Sequence, residues 1–318
     1  MIQITKKPKF LSPSSLNEAE GNPNKFVLRR MVDDPRPRDP QSMPAAAGSS
    51  FDHFVKKYIS EKNNFDLKEK LLRGMFTEYV DGVAIDPRVK YKDYTGDRLM
   101  FETNVEPQNR EEAYKAGLYL FSKYIEAGLL KDCCNYRDIE IRRNFVLLQT
   151  GVPLYGILDA EWTDAGSGDS KAGSGSATAI PYDWKVSGYG SDSGVSPKKY
   201  YMQSWQDGVP LGAHKEYRED IPFHEIDSDW AVQGCTYGWM MGLPPLKPFN
   251  FMVDMIAIRP LSVKIARYKG VITPEFQTIV MGRYTKIWHE VQSGAILNRC
   301  APERLMAEVQ ANNERWWM

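Results

Sequence analysis

Cysteine, net charge and long apolar runs are what this sequence has least of, and each shortage excludes a class of protein. Its 318 residues include four cysteines, Cys133, Cys134, Cys235 and Cys300. Two are adjacent and no Cys-x-x-Cys pair occurs, so the spacing supplies no usual zinc or iron–sulfur site. The expectation is free thiols in a reduced, cytoplasmic protein. No apolar run approaches the about 18–20 residues that a membrane-spanning helix needs. The opening MIQITKKPKF has no apolar core of the secretory kind, so a signal peptide is not expected. Lysine plus arginine is 41 and aspartate plus glutamate is 41, a formal net charge of zero. A whole-chain basic excess, the usual footprint of a nucleic-acid partner, is therefore missing.

What is there is enough for a folded core: 42% of residues are hydrophobic and 12% aromatic, which excludes wholesale disorder. The length suits two domains or one elaborated α/β domain. The zero charge also hides two opposite fields. Residues 1–50 carry eight basic and five acidic side chains, and residues 151–233 carry six basic and thirteen acidic ones. An acidic centre suits a bound cation, and a basic arm suits phosphates.

Local signals divide the chain. Ser12 before Pro13 marks a capped helix start, and the run Asp33-Asp-Pro-Arg-Pro-Arg-Asp-Pro40 reads as a turn or extended connector. Phe51, Phe54, Val55, Tyr58 and Ile59 recur at helical spacing and predict a helix over 49–59, with His53 on the opposite face. A second helix is predicted over 109–130, capped by Asn109, with Tyr114, Leu118, Phe121 and Ile125 on one face. Short apolar runs predict strands over 139–147, 152–159 and 180–186. The glycine- and serine-rich 165–177 stretch reads as a mobile loop, without the spacing of a nucleotide-binding P-loop. Residues 187–227 read as an irregular insertion. A helix over 229–241, a strand pair around Arg259-Pro260, a helix from Thr273 to Gly294 and a short helix in the tail complete the pattern.

Chemistry concentrates on two of the strands. Asp159 ends one. Asp183 and Lys185 bracket Trp184 on the next and, two apart, point to the same face. Two carboxylates and a main-chain carbonyl are hard oxygen ligands suited to Mg²⁺ or Mn²⁺. A surface salt bridge on an edge strand is the plainer alternative that spacing leaves open.

The flanking motifs sharpen this. Leu11-Ser-Pro-Ser-Ser-Leu16 with Asn22-Pro23-Asn-Lys-Phe26, Ala47-Gly48-Ser-Ser-Phe-Asp-His53, Ile157-Leu-Asp159, Tyr182-Asp-Trp-Lys185 and Trp230-x2-Gln233-x3-Tyr237 occur in that order. Together they resemble the PD-(D/E)XK nuclease superfamily, in its RecB-like exonuclease branch, over residues 11–240. The resemblance implies an α/β fold with a restriction-endonuclease-like core, a central mixed sheet of about five strands flanked by helices, and a helical N-terminal arm covering the cleft. The implied division is an arm over 1–48, a nuclease domain over 49–300 and a helical tail over 301–318.

Function follows as a further expectation from the same resemblance: Mg²⁺-dependent hydrolysis of DNA phosphodiesters, with an exonuclease favoured over a structure-specific endonuclease. Asp159, Asp183 and the Trp184 carbonyl would hold the metal, and Lys185 would orient the attacking water. His53 would be a further ligand or phosphate contact. Gln233 and Tyr237 would hold DNA or the lysine. The branch's cysteine before proline is Asn22 here and its terminal cysteine trio is missing, so no iron–sulfur cluster is implied. A nuclease-like fold that binds nucleic acid without cutting it is the competing reading. His214, Lys215, Tyr217, Arg218 and His224 of the insertion are either DNA contacts or a solvated loop.

Overall fold

The computed structural model describes residues 6–32, 43–60, 107–131, 136–147, 149–163, 179–188, 196–259, 262–301 and 303. The expected connector at 33–40, the 165–177 loop and the tail helix lie outside these residues, as do Cys133 and Cys134.

Helix α1 spans Pro13–Gly21. It starts as its sequence dictates: Ser12 accepts from the Ser15 amide at 3.2 Å, and Ser15 accepts from the Ser12 amide at 2.6 Å. Two otherwise orphaned donors are thus satisfied reciprocally. Helix α2 (Pro23–Arg30) follows directly, capped by Asn22. Helix α3 (Met43–Ser60) begins before the expected residue 49 and packs against α4 (Pro107–Glu126). Asn109 falls inside α4 rather than capping it.

Strands β1 (Tyr136–Leu147), β2 (Val152–Thr163) and β3 (Ala179–Ser187) form an antiparallel run. The short strands β4 (Gln203–Gln206) and β5 (Val209–Gly212) come next, then a one-turn helix α5 (Phe223–Ile226) and α6 (Ser228–Met240). Strands β6 (Phe249–Arg259) and β7 (Ser262–Ile272) pair antiparallel along their length. Helix α7 (Pro274–Ser293) opens on a Thr273 cap and closes on Gly294 at φ 80°, a left-handed cap that favours glycine. A 3₁₀ turn, Ala295–Arg299, follows.

The described strands form one seven-stranded mixed sheet in the order β1-β2-β3-β6-β7-β4-β5, parallel only between β3 and β6. This corrects the expectation of about five strands. The excess is the β4–β5 hairpin, which lies in the stretch expected to be irregular and extends the sheet beyond β7. Its turn is Asp207-Gly208 at φ 50° and 87°, the left-handed pair that matches the twist of a tight hairpin. The Asp207 carboxylate also accepts from the Val263 amide at 2.8 Å, pinning the hairpin to β7.

The sheet separates two apolar cores. One gathers Leu11, Leu16 and Phe26 with Leu154, Leu158, Val253, Met255, Tyr268 and the inner faces of α6 and α7. The other gathers α3 and α4 with Ala160, Trp162, Tyr182, Trp184 and Ile256. The first two helices are therefore tied into the main body. Leu11 bridges β2, donating to the Pro153 carbonyl at 2.9 Å and accepting from the Tyr155 amide at 2.8 Å. The helix that lines the cleft is α3, which straddles the boundary expected at residue 48.

Candidate active site between strands β2 and β3 and helix α3

Strand β2 breaks its own alternation at the centre of interest. Leu154 and Leu158 enter one core, and Ala160 and Trp162 enter the other. Residues two apart on a regular strand share a face, so the strand changes sides around Asp159. The ladder to β3 starts just beyond, at the pairing of Ala160 with Tyr182. This puts the Asp159 carboxylate under the start of the Asp183-Trp184-Lys185 segment, where its Oδ2 accepts from the Trp184 amide at 3.3 Å.

Asp183 and Lys185 share the face occupied by Val253 and Met255, with which they pair across β6. Their ammonium and carboxylate form an ion pair. Trp184 points the other way and is held there: its indole Nε1 donates to the Tyr124 hydroxyl at 3.1 Å. Behind it Tyr124, Tyr182 and Arg267 converge on the fully buried Asp254, with Arg267 Nε donating to Asp254 Oδ1 at 2.9 Å and its Nη2 to Oδ2 at 2.8 Å. Such a satisfied polar network fixes the strand that carries the site.

One member of the cluster was not expected. Lys56 of α3 reaches 2.8 Å from Asp159 Oδ1 and 2.7 Å from an oxygen of Asp52. The Asp52–Lys56 pair had a signal, since acid and base four apart on a helix meet. The contact with Asp159 spans 103 residues and had none. Gly48 sets this helix close to β3: a Cβ there would sit 3.4 Å from Val186 Cβ. Ala45, Gly48, Asp52, Asp159, Trp184 and Lys185 line an open cleft of about 260 Å³.

The electrostatics separate the two acids. Burial works against the charged form of Asp159, yet Lys56, a hydrogen bond with Asp183 and the Lys185 charge outweigh it and hold this carboxyl well below the usual carboxylate range. Burial pushes Asp183 well above that range, against the pull of Lys185 and with the Asp159 charge adding to the rise. Two like charges at contact cannot both ionise freely without a cation between them. Lys185 is kept above lysine's ordinary value: Asp183 and Asp159 overcome its burial.

Gln233 and Tyr237 lie on α6, where the Gln233 amide donates to the Tyr237 hydroxyl at 3.0 Å. Tyr237 is close enough to feel the acids, because burial first and then Asp183 and Asp159 push its phenol well above its ordinary value. His53 is half-buried beside Asp52 on α3, edge-on to Phe54 at 6.0 Å. Of the residues singled out in the insertion, His214 and Tyr217 form a turn with each other, and His224 stacks on Phe276 at 4.8 Å.

Among the described residues no group of three or more His, Cys, Asp or Glu side chains is disposed to cage a metal. The pair Asp159 and Asp183 nevertheless fits magnesium, which takes one or two carboxylates and keeps several waters. Among the described residues no helix is long and apolar enough to cross a membrane. No protein-family model matches this chain, and no curated protein matches it.

Proposed function

We propose that this chain is a metal-dependent DNA nuclease of the PD-(D/E)XK kind, hydrolysing phosphodiester bonds and working from DNA ends. The observation that carries the reading is the joining of Asp159 and Asp183, from adjacent strands, with Lys185 paired to the second acid. This juxtaposition matches the chemistry that the motif order implies.

Asp159, Asp183 and the Trp184 main-chain carbonyl would hold a magnesium or manganese ion. When bound, such an ion polarises the scissile phosphate and lowers the pKa of a water. The remaining work belongs to the chain itself. Lys185, 26% exposed, reaches the cleft with a positive charge that positions the water and offsets charge on the phosphate. The Asp254 network holds Trp184, and with it the main-chain carbonyl. Lys56 fixes the Asp159 rotamer and keeps that acid ionised. Gln233 and Tyr237 flank the acids as contacts for the DNA strand or for Lys185, and His53 supplies a phosphate contact or a further ligand.

The test is a digestion panel of end-labelled linear, nicked, closed circular and single-stranded DNA with Mg²⁺, with Mn²⁺ and with EDTA. Loss of linear substrate that stops with EDTA is the expected result. Cutting of closed circles moves the assignment to an endonuclease. Intact DNA under every metal condition overturns the reading.

A further inference from the structure

A second cleft lies at the far edge of the sheet, away from the acids. Ser196, Lys198, Lys199, Ser204, His214 and Lys264 contribute its polar lining, and Tyr201 and Trp205 its aromatic walls. Three lysines and a histidine line it without a single carboxylate. This contrasts with the surrounding acidic segment, where Glu216, Glu219 and Asp220 all project from the adjoining loop.

The lining is built rather than incidental. Tyr200, between the lysines and the hairpin, sits at φ 66°, a left-handed conformation that a bulky side chain adopts only under constraint. The constraint is visible: the Lys198 carbonyl accepts from the Tyr268 hydroxyl at 3.1 Å, and the Met202 amide donates to the Arg267 carbonyl at 2.9 Å. The Tyr200 and Tyr201 rings both meet His214 edge-on, at 5.9 and 5.3 Å. The His214 Nδ1 accepts from the Glu216 amide at 3.2 Å, which leaves Nε2 as the ring's donor. Lys198 is already engaged, paired with Asp227 and 4.7 Å from the Trp230 ring centroid. Lys199 is exposed and Lys264 half-buried, and neither has an ion pair among the described residues.

Register ties this cleft to the acids. Lys185 pairs with Met255, Met255 with Ala266, and Ala266 with Ser204. Lys185 and Ser204 therefore lie on one row and one face of the sheet, three strand spacings apart, about 14 Å. Lys264 is on the same face two residues along β7. Met255 and Ala266 between them are buried in the core on that face, so the row fixes where the cleft sits on the sheet and is not itself a path for a bound strand.

We infer that the cleft of Lys198, Lys199, His214 and Lys264 is a phosphate-binding subsite that grips DNA at the sheet edge remote from the acids. This rests on the nuclease reading for its ligand. Two ammoniums with no acid between them and a ring N–H suit a phosphate oxygen, and the aromatic walls suit a base or sugar face. The phosphate is either internal to the strand or the terminal one.

The experiment measures binding in EDTA, where cleavage plays no part. Anisotropy of labelled single-stranded and duplex oligonucleotides, each with a 5′-phosphate or a 5′-hydroxyl, is titrated with the full chain and with Lys199→Ala/Lys264→Ala. The double variant is expected to bind at least about tenfold more weakly, with a salt slope shallower by about 1.4 to 1.8, since each lost contact removes about 0.7 to 0.9. Lys286→Ala, which removes an exposed lysine of α7 outside both clefts, is the reference, and Lys264→Arg retains the charge and is expected to retain binding. Loss on all oligonucleotides assigns an internal phosphate; loss confined to the 5′-phosphorylated ones assigns the terminal phosphate. The inference is overturned if the double variant binds like the parent, or loses no more than Lys286→Ala. Because no turnover is measured, a failure here is distinct from a failure of the digestion panel.

Discussion

Lys56 Nζ stands 2.8 Å from Oδ1 of Asp159, so a helix and a strand far apart in sequence are clamped by one charge pair at the heart of the cleft. Both side chains are largely buried, 13% and 18% exposed, and removing one partner of such a pair typically costs about 3–5 kcal/mol. Lys56→Met is therefore expected to melt at a lower temperature in EDTA. A divalent ion at Asp159 would supply the missing positive charge, so adding Mn²⁺ should raise the melting temperature of the variant by more than that of the parent. Equal increments in a thermal-shift assay would separate Lys56 from the metal site.

Asp183→Ala and Lys185→Ala should each reduce cleavage by at least about a hundredfold, the scale of losing one transition-state contact. They should differ in metal binding. Calorimetric titration with Mn²⁺ is expected to show weakened binding for the aspartate change and near-parental binding for the lysine change. Full activity of Lys185→Ala would remove it from the site.

The buried Asp254–Arg267 pair makes a prediction that is read in stability. Asp254→Ala strands a buried guanidinium and is expected to cost about 3–5 kcal/mol in urea unfolding. The double change Asp254→Leu with Arg267→Met removes both charges and should recover part of that loss, the remainder being the cost of the buried Tyr124 and Tyr182 hydroxyls that lose their acceptor. A double variant as unstable as the single one would refute this charge-based explanation.

Gly117 sets the distance between α4 and α3. A Cβ at this position would lie 2.3 Å from Ser50 Oγ and 2.7 Å from the Phe51 backbone nitrogen, so the helices must part to admit it. Gly117→Ala should cost about 1–3 kcal/mol, the range for overpacking. Since α3 carries Asp52 and Lys56, cleavage should fall with it, measurable as lowered activity at temperatures where the variant is still folded.

Cys235 is wholly buried, and that burial pushes its thiol far above the ordinary range. Alkylation by iodoacetamide at pH 8, followed by peptide mapping, is expected to leave Cys235 unmodified until denaturant is added. Rapid labelling of the native protein would contradict its placement.

Much of the architecture was legible wherever a signal is local. Ser12-Pro13 and Thr273-Pro274 open helices, Gly294 closes one, and the apolar runs around Val152, Ile180 and Phe251 became strands. The β4–β5 hairpin was missed because its strands are four residues each and partly polar, although Asp207-Gly208 is itself a turn signal. In the site, Asp183 and Lys185 were readable because two-residue spacing fixes their common face. Their closeness to Asp159 depends on where β2 joins β3, and that of Lys56 on how α3 lies over the sheet. Such contacts are decided by packing across the chain, which no window of neighbouring residues contains.

The change of sides in β2 has a mechanical meaning. Leu158 anchors in one core and Ala160 in the other, so the backbone between them is a rivet through a partition. A displacement of the helices on either side is expected to reach Asp159 through a single residue of backbone. Loosening far from the cleft, in α7 or in α4, would reach the acid as misalignment before it reached the rest of the molecule as unfolding.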